Sequence, residues 1–285
     1  MKYVNILLIG LVLLFPGCTF LDVVPEGNIE SIESNFEKRD QTENWFKYCH
    51  FEVSPFTTSV ISNPAYMGTD EVVAGTYLRE SGFNWSGLYI ADGLQRTFDP
   101  YCNMWRRDAV YNSIRYCNTF LEKVWGVYNM TDAEKKLWVA EIKALKAYYY
   151  FELLRHYGPF VVMDENIDPG VPVEDMKKER SPVDVCVEEI VSLLDEAMKD
   201  LPLMKDKERS RWAYHSLESA AALKAMTLFY AASPLFNGNP AYSGFVNSKG
   251  EKLFSQQKDP EKWRYAAEAV DSALLICNRG GKYLI

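Results

Sequence analysis

Along most of the chain, apolar positions recur with the spacing of a helix, not a strand. After Thr131, residues Leu137, Ala140, Ala144, Ala147, Phe151 and Leu154 fall on one stripe, and Gly158–Pro159 ends the run. Thr131 and Glu134 have capping-box spacing, in which each side chain accepts the other residue's backbone N–H. A second stripe, Val183, Cys186, Val187, Ile190, Leu193, Leu194 and Ala197, follows Ser181–Pro182 and closes at Leu201–Pro202. A third helix runs from about 216 to 232 and stops before Pro234. Asp259–Pro260 opens a last one, apolar at Trp263, Ala266, Ala267, Val270, Ala273, Leu274 and Cys277, before Gly280–Gly281. Upstream, residues 30–51 read as a mixed polar helix ending before Pro55. Asp99–Pro100 reads as an N-cap with a first-turn proline, opening a helix through Trp105, Tyr111, Ile114, Cys117 and Leu121 to Gly126. Strand-like alternation is scarce, so the pattern predicts an all-α protein.

Two helical segments resemble each other: Leu145-Lys-Ala-Tyr-Tyr-Tyr-Phe151 and Leu223-Lys-Ala-Met-Thr-Leu-Phe229. Alanines flank both and let neighbouring helices approach closely. Repeated hairpins with small contact residues predict a tetratricopeptide-like solenoid with insertions between its units. Trp105, Trp138 and Trp263 lie on helical stripes and are expected in the core. Two stretches break the pattern, 52–98 and 234–258, and are expected as long irregular insertions. Loops of that length in a compact domain are usually functional or disordered, and their aromatic content argues against disorder.

The first residues have a different character. Met1–Lys2 gives a short positive start, and Ile6 to Phe15 is an almost unbroken apolar run. That run is too short to cross a bilayer core of about 30 Å, so it reads as a signal-peptide hydrophobic region. It ends in Phe15-Pro-Gly-Cys18, similar to the bacterial lipobox, in which the cysteine is acylated and becomes the mature N-terminus. Residues 1–17 are therefore expected as a lipoprotein signal peptide and Cys18 as the lipidation site. Residues 18–28 would be a Pro- and Gly-bearing tether, and 29–285 the helical domain.

Composition narrows the function. Lys and Arg total 31 against 39 Asp and Glu, a net charge of −8. A chain with that balance lacks the cationic face that nucleic acid requires, so no nucleic-acid partner is expected. The six cysteines are widely spaced and form no CxxC pair, so no zinc site is predicted and those beyond Cys18 read as small buried hydrophobes. The three histidines, His50, His156 and His215, are isolated from any hydrolase signature, and no phosphate loop or calcium loop occurs. No cofactor, no metal and no catalytic residue is predicted. Tyrosine leads the aromatics, with 18 residues, and its apolar face and polar edge suit an open recognition surface.

Several segments carry a family resemblance. Cys18-Thr-Phe-Leu-Asp-Val-Val-Pro, Trp105-x5-Tyr111-x2-Ile114-x3-Asn118, and Glu141-Ile-Lys-Ala-Leu-Lys-Ala-Tyr-Tyr-Tyr-Phe-Glu-Leu-Leu-Arg-His-Tyr-Gly-Pro159 resemble the SusD/RagB family of surface lipoproteins. Arg180-Ser-Pro-Val-Asp184, Tyr230-Ala-Ala-Ser-Pro-Leu-Phe-Asn-Gly238 and Gly281-Lys-Tyr-Leu284 continue it in order; at Lys146 the family typically has Arg. Members are much longer, so the likeness is to an N-terminal half. The resemblance implies a non-catalytic protein on tetratricopeptide-like hairpins, lipid-anchored at the outer-membrane surface. It would bind glycan or another nutrient and serve a SusC-like TonB-dependent transporter.

A sugar site needs rings for C–H faces and polar side chains for hydroxyls. Residues 66–101 offer Tyr66, Trp85 and Tyr89 as platforms and Asp70, Arg79, Asn84 and Asp92 as polar partners. The family commonly places ligand contacts in this stretch. Phe236, Asn237 and Tyr242, after a helix end, are secondary candidates. Two rival readings remain: a hairpin scaffold binding protein or peptide, and a surface glycosidase built on Asp70–Glu71 or Asp164–Glu165.

Overall fold

The computed structural model describes residues 32–51, 60–81, 85–106 and 109–282; the leader, Cys18, the tether and Asn84 lie outside them. Ten α-helices follow among these residues. The expected helix over 30–51 is divided into a 3-10 turn, Glu33–Phe36, and α1, Arg39–Cys49. Lys38 is extended between them, and the buried Thr42 hydroxyl stitches the two together by donating to Asn35 O and Lys38 O.

The segment expected to be irregular carries three short helices: α2, Pro64–Met67, α3, Thr76–Glu80, and α4, Ser86–Ala91. They close over a small core of Met67, Ala74 and Leu88, with Ile61, Val72, Leu78 and Trp85 packed around it. Gly87 lets α4 meet the 61–63 backbone, because a Cβ there would lie 2.6 Å from Ile61 O.

The next helix, α5, spans Val110–Lys123 and does not start at Pro100. Asp99 adopts φ +51°, a left-handed turn incompatible with an N-cap, and the chain to Arg106 stays irregular. Trp105 therefore lies outside the helix and stacks on Tyr111, ring centroids 5.2 Å apart.

Helix α6, Asp132–Tyr157, begins where expected, with Thr131 Oγ1 accepting from Glu134 N at 3.2 Å. It is buried on several sides, carrying Trp138, Tyr149, Tyr150, Phe151 and Leu153 into the core. Helices α5, α8 and α9 pack onto it, and α1 packs on α5. Gly158 ends it at φ +70°, with the Phe254 ring 3.2 Å from where a Cβ would stand. A short α7, Val173–Met176, precedes α8, Val183–Ala197. Helix α9, Leu217–Ala232, opens on a capping box of Ser216 and Ser219, and α10, Glu261–Arg279, completes the described chain. Ala221 and Ala225 of α9 face Ala269 and Ala273 of α10, the close approach that the alanines predict. Among the described residues no strand forms; the 234–258 insertion holds one isolated bridge, Val246 to Lys252.

The architecture is thus all-α, with hairpin-like helix pairs around α6. Trp138 is 1% exposed, as a core residue should be, but Trp263 is 40% exposed on the outer face of α10. Cys49, Cys117 and Cys186 are buried, and Cys102 and Cys277 are half-buried, all five as free thiols. No described helix is long and apolar enough to cross a membrane.

Candidate functional site

The insertion of residues 60–102 sits over the C-terminal end of α6. Between them runs a cleft of about 490 Å³, lined by Pro64, Ala65, Ile90 and Gln95 from the insertion and by Arg155, His156 and Tyr230 from the helical body. Tyr157 secures the junction: its hydroxyl donates to Cys102 O at 3.2 Å and accepts from Met104 N at 2.9 Å.

The candidate side chains divide by position. Tyr66 follows the lining residues on α2 and is 50% exposed, a ring available to solvent. Asp70 and Glu71 are exposed. Arg79 and Asp92 form an ion pair across α3 and α4, and the guanidinium holds the Asp92 carboxyl below the usual carboxylate range. Tyr89 packs on Tyr101 in a tilted ring pair, centroids 4.6 Å apart, and Arg96 covers the Tyr101 ring at 4.9 Å. Trp85 is half-buried in the small core, its indole N–H donating to Ser81 Oγ at 3.1 Å, so it supports the insertion instead of offering an open platform. Asn84 lies outside the described residues.

The secondary candidates move inward. Phe236 and Asn237 are 3% and 4% exposed. Asn237 donates to Asp259 O and accepts from Asp259 N, both at 2.8 Å, and so clips the 234–258 insertion to the start of α10. Phe236 stacks on Phe254, and half-buried Tyr242 stacks on Phe254 at 4.3 Å. These three residues hold the insertion closed; burial takes Phe236 and Asn237 off any open surface, contrary to the expectation that they face a ligand, while Tyr242 stays partly open.

Other rings were not singled out by their sequence context. Tyr77 and Phe98 are 83% and 86% exposed, the most open aromatics among the described residues of the insertion. Arg155 and His156 were legible only as a helix end. The His156 imidazole is lowered in pKa, chiefly by burial, and its Nδ1 lies 2.8 Å from Glu152 O; Arg155 Nη2 donates to the buried Glu152 Oε2 at 2.9 Å. Among the described residues no group of three His, Cys, Asp or Glu side chains could hold a metal. The arrangement suits non-covalent recognition: solvent-facing rings on the same braced insertion as Asp70, Gln95 and Arg96.

Residues 20–230 match the family SusD-like_3, described as starch-binding associating with outer membrane. No curated protein matches the sequence significantly. Among solved structures, one named BT4246 is 31% identical, with a TM-score of 0.75 over 86% of this chain and 40% of its own. A laminarin-binding SusD-like protein is 21% identical, with a TM-score of 0.56 over 69% and 41%. Surface glycan-binding protein A from Bacteroides uniformis is 17% identical, with a TM-score of 0.55 over 67% and 42%. The last two show likeness of fold alone. The chain spans about two fifths of the length of these solved proteins.

Proposed function

The chain belongs to the SusD-like family, and on that premise we propose that it is the helical part of a surface glycan-binding lipoprotein. Acylation of Cys18 would moor it to the outer membrane, and it would pass captured oligosaccharide to a SusC-like TonB-dependent transporter. It would do so without chemistry of its own. The observation that carries this reading is the braced insertion of residues 60–102, which holds Tyr66, Tyr77 and Phe98 open to solvent and whose Pro64, Ala65, Ile90 and Gln95 line a cleft. An exposed ring costs the protein little and gives a sugar's C–H face a partner; Asp70, Gln95 and Arg96 offer hydroxyls their hydrogen bonds.

Affinity electrophoresis over a glycan panel tests the binding arm. The chain is expected to be retarded by at least one polysaccharide, and Tyr66→Ala or Tyr77→Ala to weaken that retardation about tenfold, or about 1.4 kcal/mol. Trp85→Ala is the wrong probe, because it removes support from the insertion. No retardation by any glycan overturns the reading. The anchoring arm is tested separately by palmitate labelling, which Cys18→Ser should abolish, and the transporter arm by co-purification from membranes.

A further inference from the structure

A second cavity lies between α5 and residues 161–178, on lining residues distinct from those of the first, with Trp105 of this cavity meeting Tyr157 of the cleft edge-on at 5.4 Å. It measures about 430 Å³, in the range of small-ligand pockets. Its walls are largely apolar: the stacked pair Trp105 and Tyr111, with Met163, Ile167 and Met176.

The cavity is preformed. Tyr111 clamps the 161–163 segment, its hydroxyl donating to Val161 O at 3.1 Å and accepting from Val161 N at 2.9 Å. Tyr150 repeats the device on Met163, with both bonds at 2.9 Å. Asn118 Nδ2 donates to Met163 O at 3.0 Å, and Asn166 Nδ2 to Thr119 Oγ1 at 2.8 Å. A wall fixed at four points lets a ligand bind without ordering the loop first.

Charge identifies the occupant. Although the chain carries a net charge of −8, the described lining contains two cations, Arg115 and Lys178, and no carboxylate. Both are exposed and stand at the rim, and among the described residues neither side chain has an ion-pair partner. A third cation, Arg180, covers the Trp105 ring at 5.1 Å. The polar group inside is Asn118, 6% exposed, whose Oδ1 has no donor among the described residues. A buried acceptor left unmet costs about 1–3 kcal/mol, so an entering N–H or O–H that reaches this oxygen while the Nδ2–Met163 O bond stays in place is favoured.

We propose that this cavity is a small-molecule site for aromatic carboxylates bearing a ring N–H or O–H, the ring against Trp105 and Tyr111 and the carboxylate at Arg115 and Lys178. Flat rings suit the stacked aromatic wall and the two soft methionines. The site is separate from the proposed glycan cleft and does not depend on that reading.

Isothermal titration of the full chain with indole-3-acetate and with 4-hydroxyphenylacetate tests the proposal. One saturable site is expected for at least one probe, with the matching primary amide bound at least tenfold more weakly and acetate not measurably bound. Arg115→Gln and Lys178→Gln should each weaken the carboxylate several-fold while leaving the amide unchanged. Met176→Trp, on a short exposed helix, should fill the cavity and abolish binding with the thermal transition intact. Tyr66→Ala should bind the probes like the parent. No heat from either probe at millimolar concentration overturns the proposal, as does equal affinity for acid and amide, or binding that survives Met176→Trp.

Discussion

At the scale of single residues, the most consequential group is a carboxylate that periodicity placed on no functional list. Glu141 of α6 is fully buried and meets two cations from a later segment, Lys207 Nζ at 3.0 Å and Arg211. Lys207 also donates to Tyr214 O and His215 O, so its ammonium is fully used. The Arg211 guanidinium lies about 5 Å from the Phe46, Trp138 and Tyr214 rings. Removing one member strands the others in a dry site. Glu141→Gln is expected to lower stability by about 3–5 kcal/mol in urea unfolding, and an apolar replacement of all three to recover most of it.

The same neighbourhood makes a pH prediction. Burial pushes both His50 and His215 down to about 4, from an ordinary value of 6.5, and the cations Arg211 and Lys207 add to the effect. The folded state therefore binds fewer protons than the unfolded chain between those values. Stability should be complete above pH 6.5 and fall as pH drops towards 4, by on the order of 2 kcal/mol per imidazole at pH 5. Urea midpoints across that range check it, and His50→Gln should flatten the slope.

Elements were legible where local chemistry and burial agree. Thr131 and Ser216 announce α6 and α9 because a hydroxyl in that position satisfies an N–H that water would otherwise need to reach. Asp99–Pro100 carries the same signature and fails, because the Tyr157 hydroxyl and Gln95 side chain take up backbone N–H groups of Met104 and Tyr101 and hold that stretch irregular. Tertiary partners decide such cases, and a single chain pattern does not show them. The α2–α4 insertion was read as loop since its helices are too short for a period to emerge.

Two tests belong to this scale. Gly158→Ala should cost about 1–2 kcal/mol, given the left-handed backbone and the Phe254 ring beside it. Ala269→Leu should overpack the α9–α10 contact and cost about 1–3 kcal/mol, whereas Leu275→Gln, at 66% exposure on the same helix, should be nearly neutral. Thermal melts compare all three.

For the molecule as a whole, the all-α class was readable from periodicity, and aromatic density is what makes the 60–102 stretch the candidate site. Which rings face outward was not readable. Trp85 and Tyr66 have similar surroundings in the sequence, and only the small core beneath α4 separates a supporting ring from an open one. Similarly, Phe236 and Asn237 follow a helix end as binding residues often do, yet they close an insertion. The paired segments ending in Phe151 and Phe229 show the same divergence: Phe151 is buried by Tyr230, whereas Phe229 is 52% exposed against Trp263. Val270 and Leu274 extend that outer apolar face, and Leu275 is exposed further round the helix. Substituting Trp263 and Leu275 by Gln is expected to reduce binding of a hydrophobic reporter dye without lowering the melting temperature by more than a few degrees.

The cage around Arg211 also has a temporal meaning. Phe46 of α1 finishes its packing only when Arg211 and Tyr214 arrive, far along the polypeptide. A chain that emerges N-terminus first must hold its first helix unfinished until then, since loop closure over that separation precedes any reward from contact. Assembly of the opening helix is thereby made conditional on the segment around Arg211 and Tyr214, and a nascent fragment ending before Pro202 would leave that helix open to holdase chaperones.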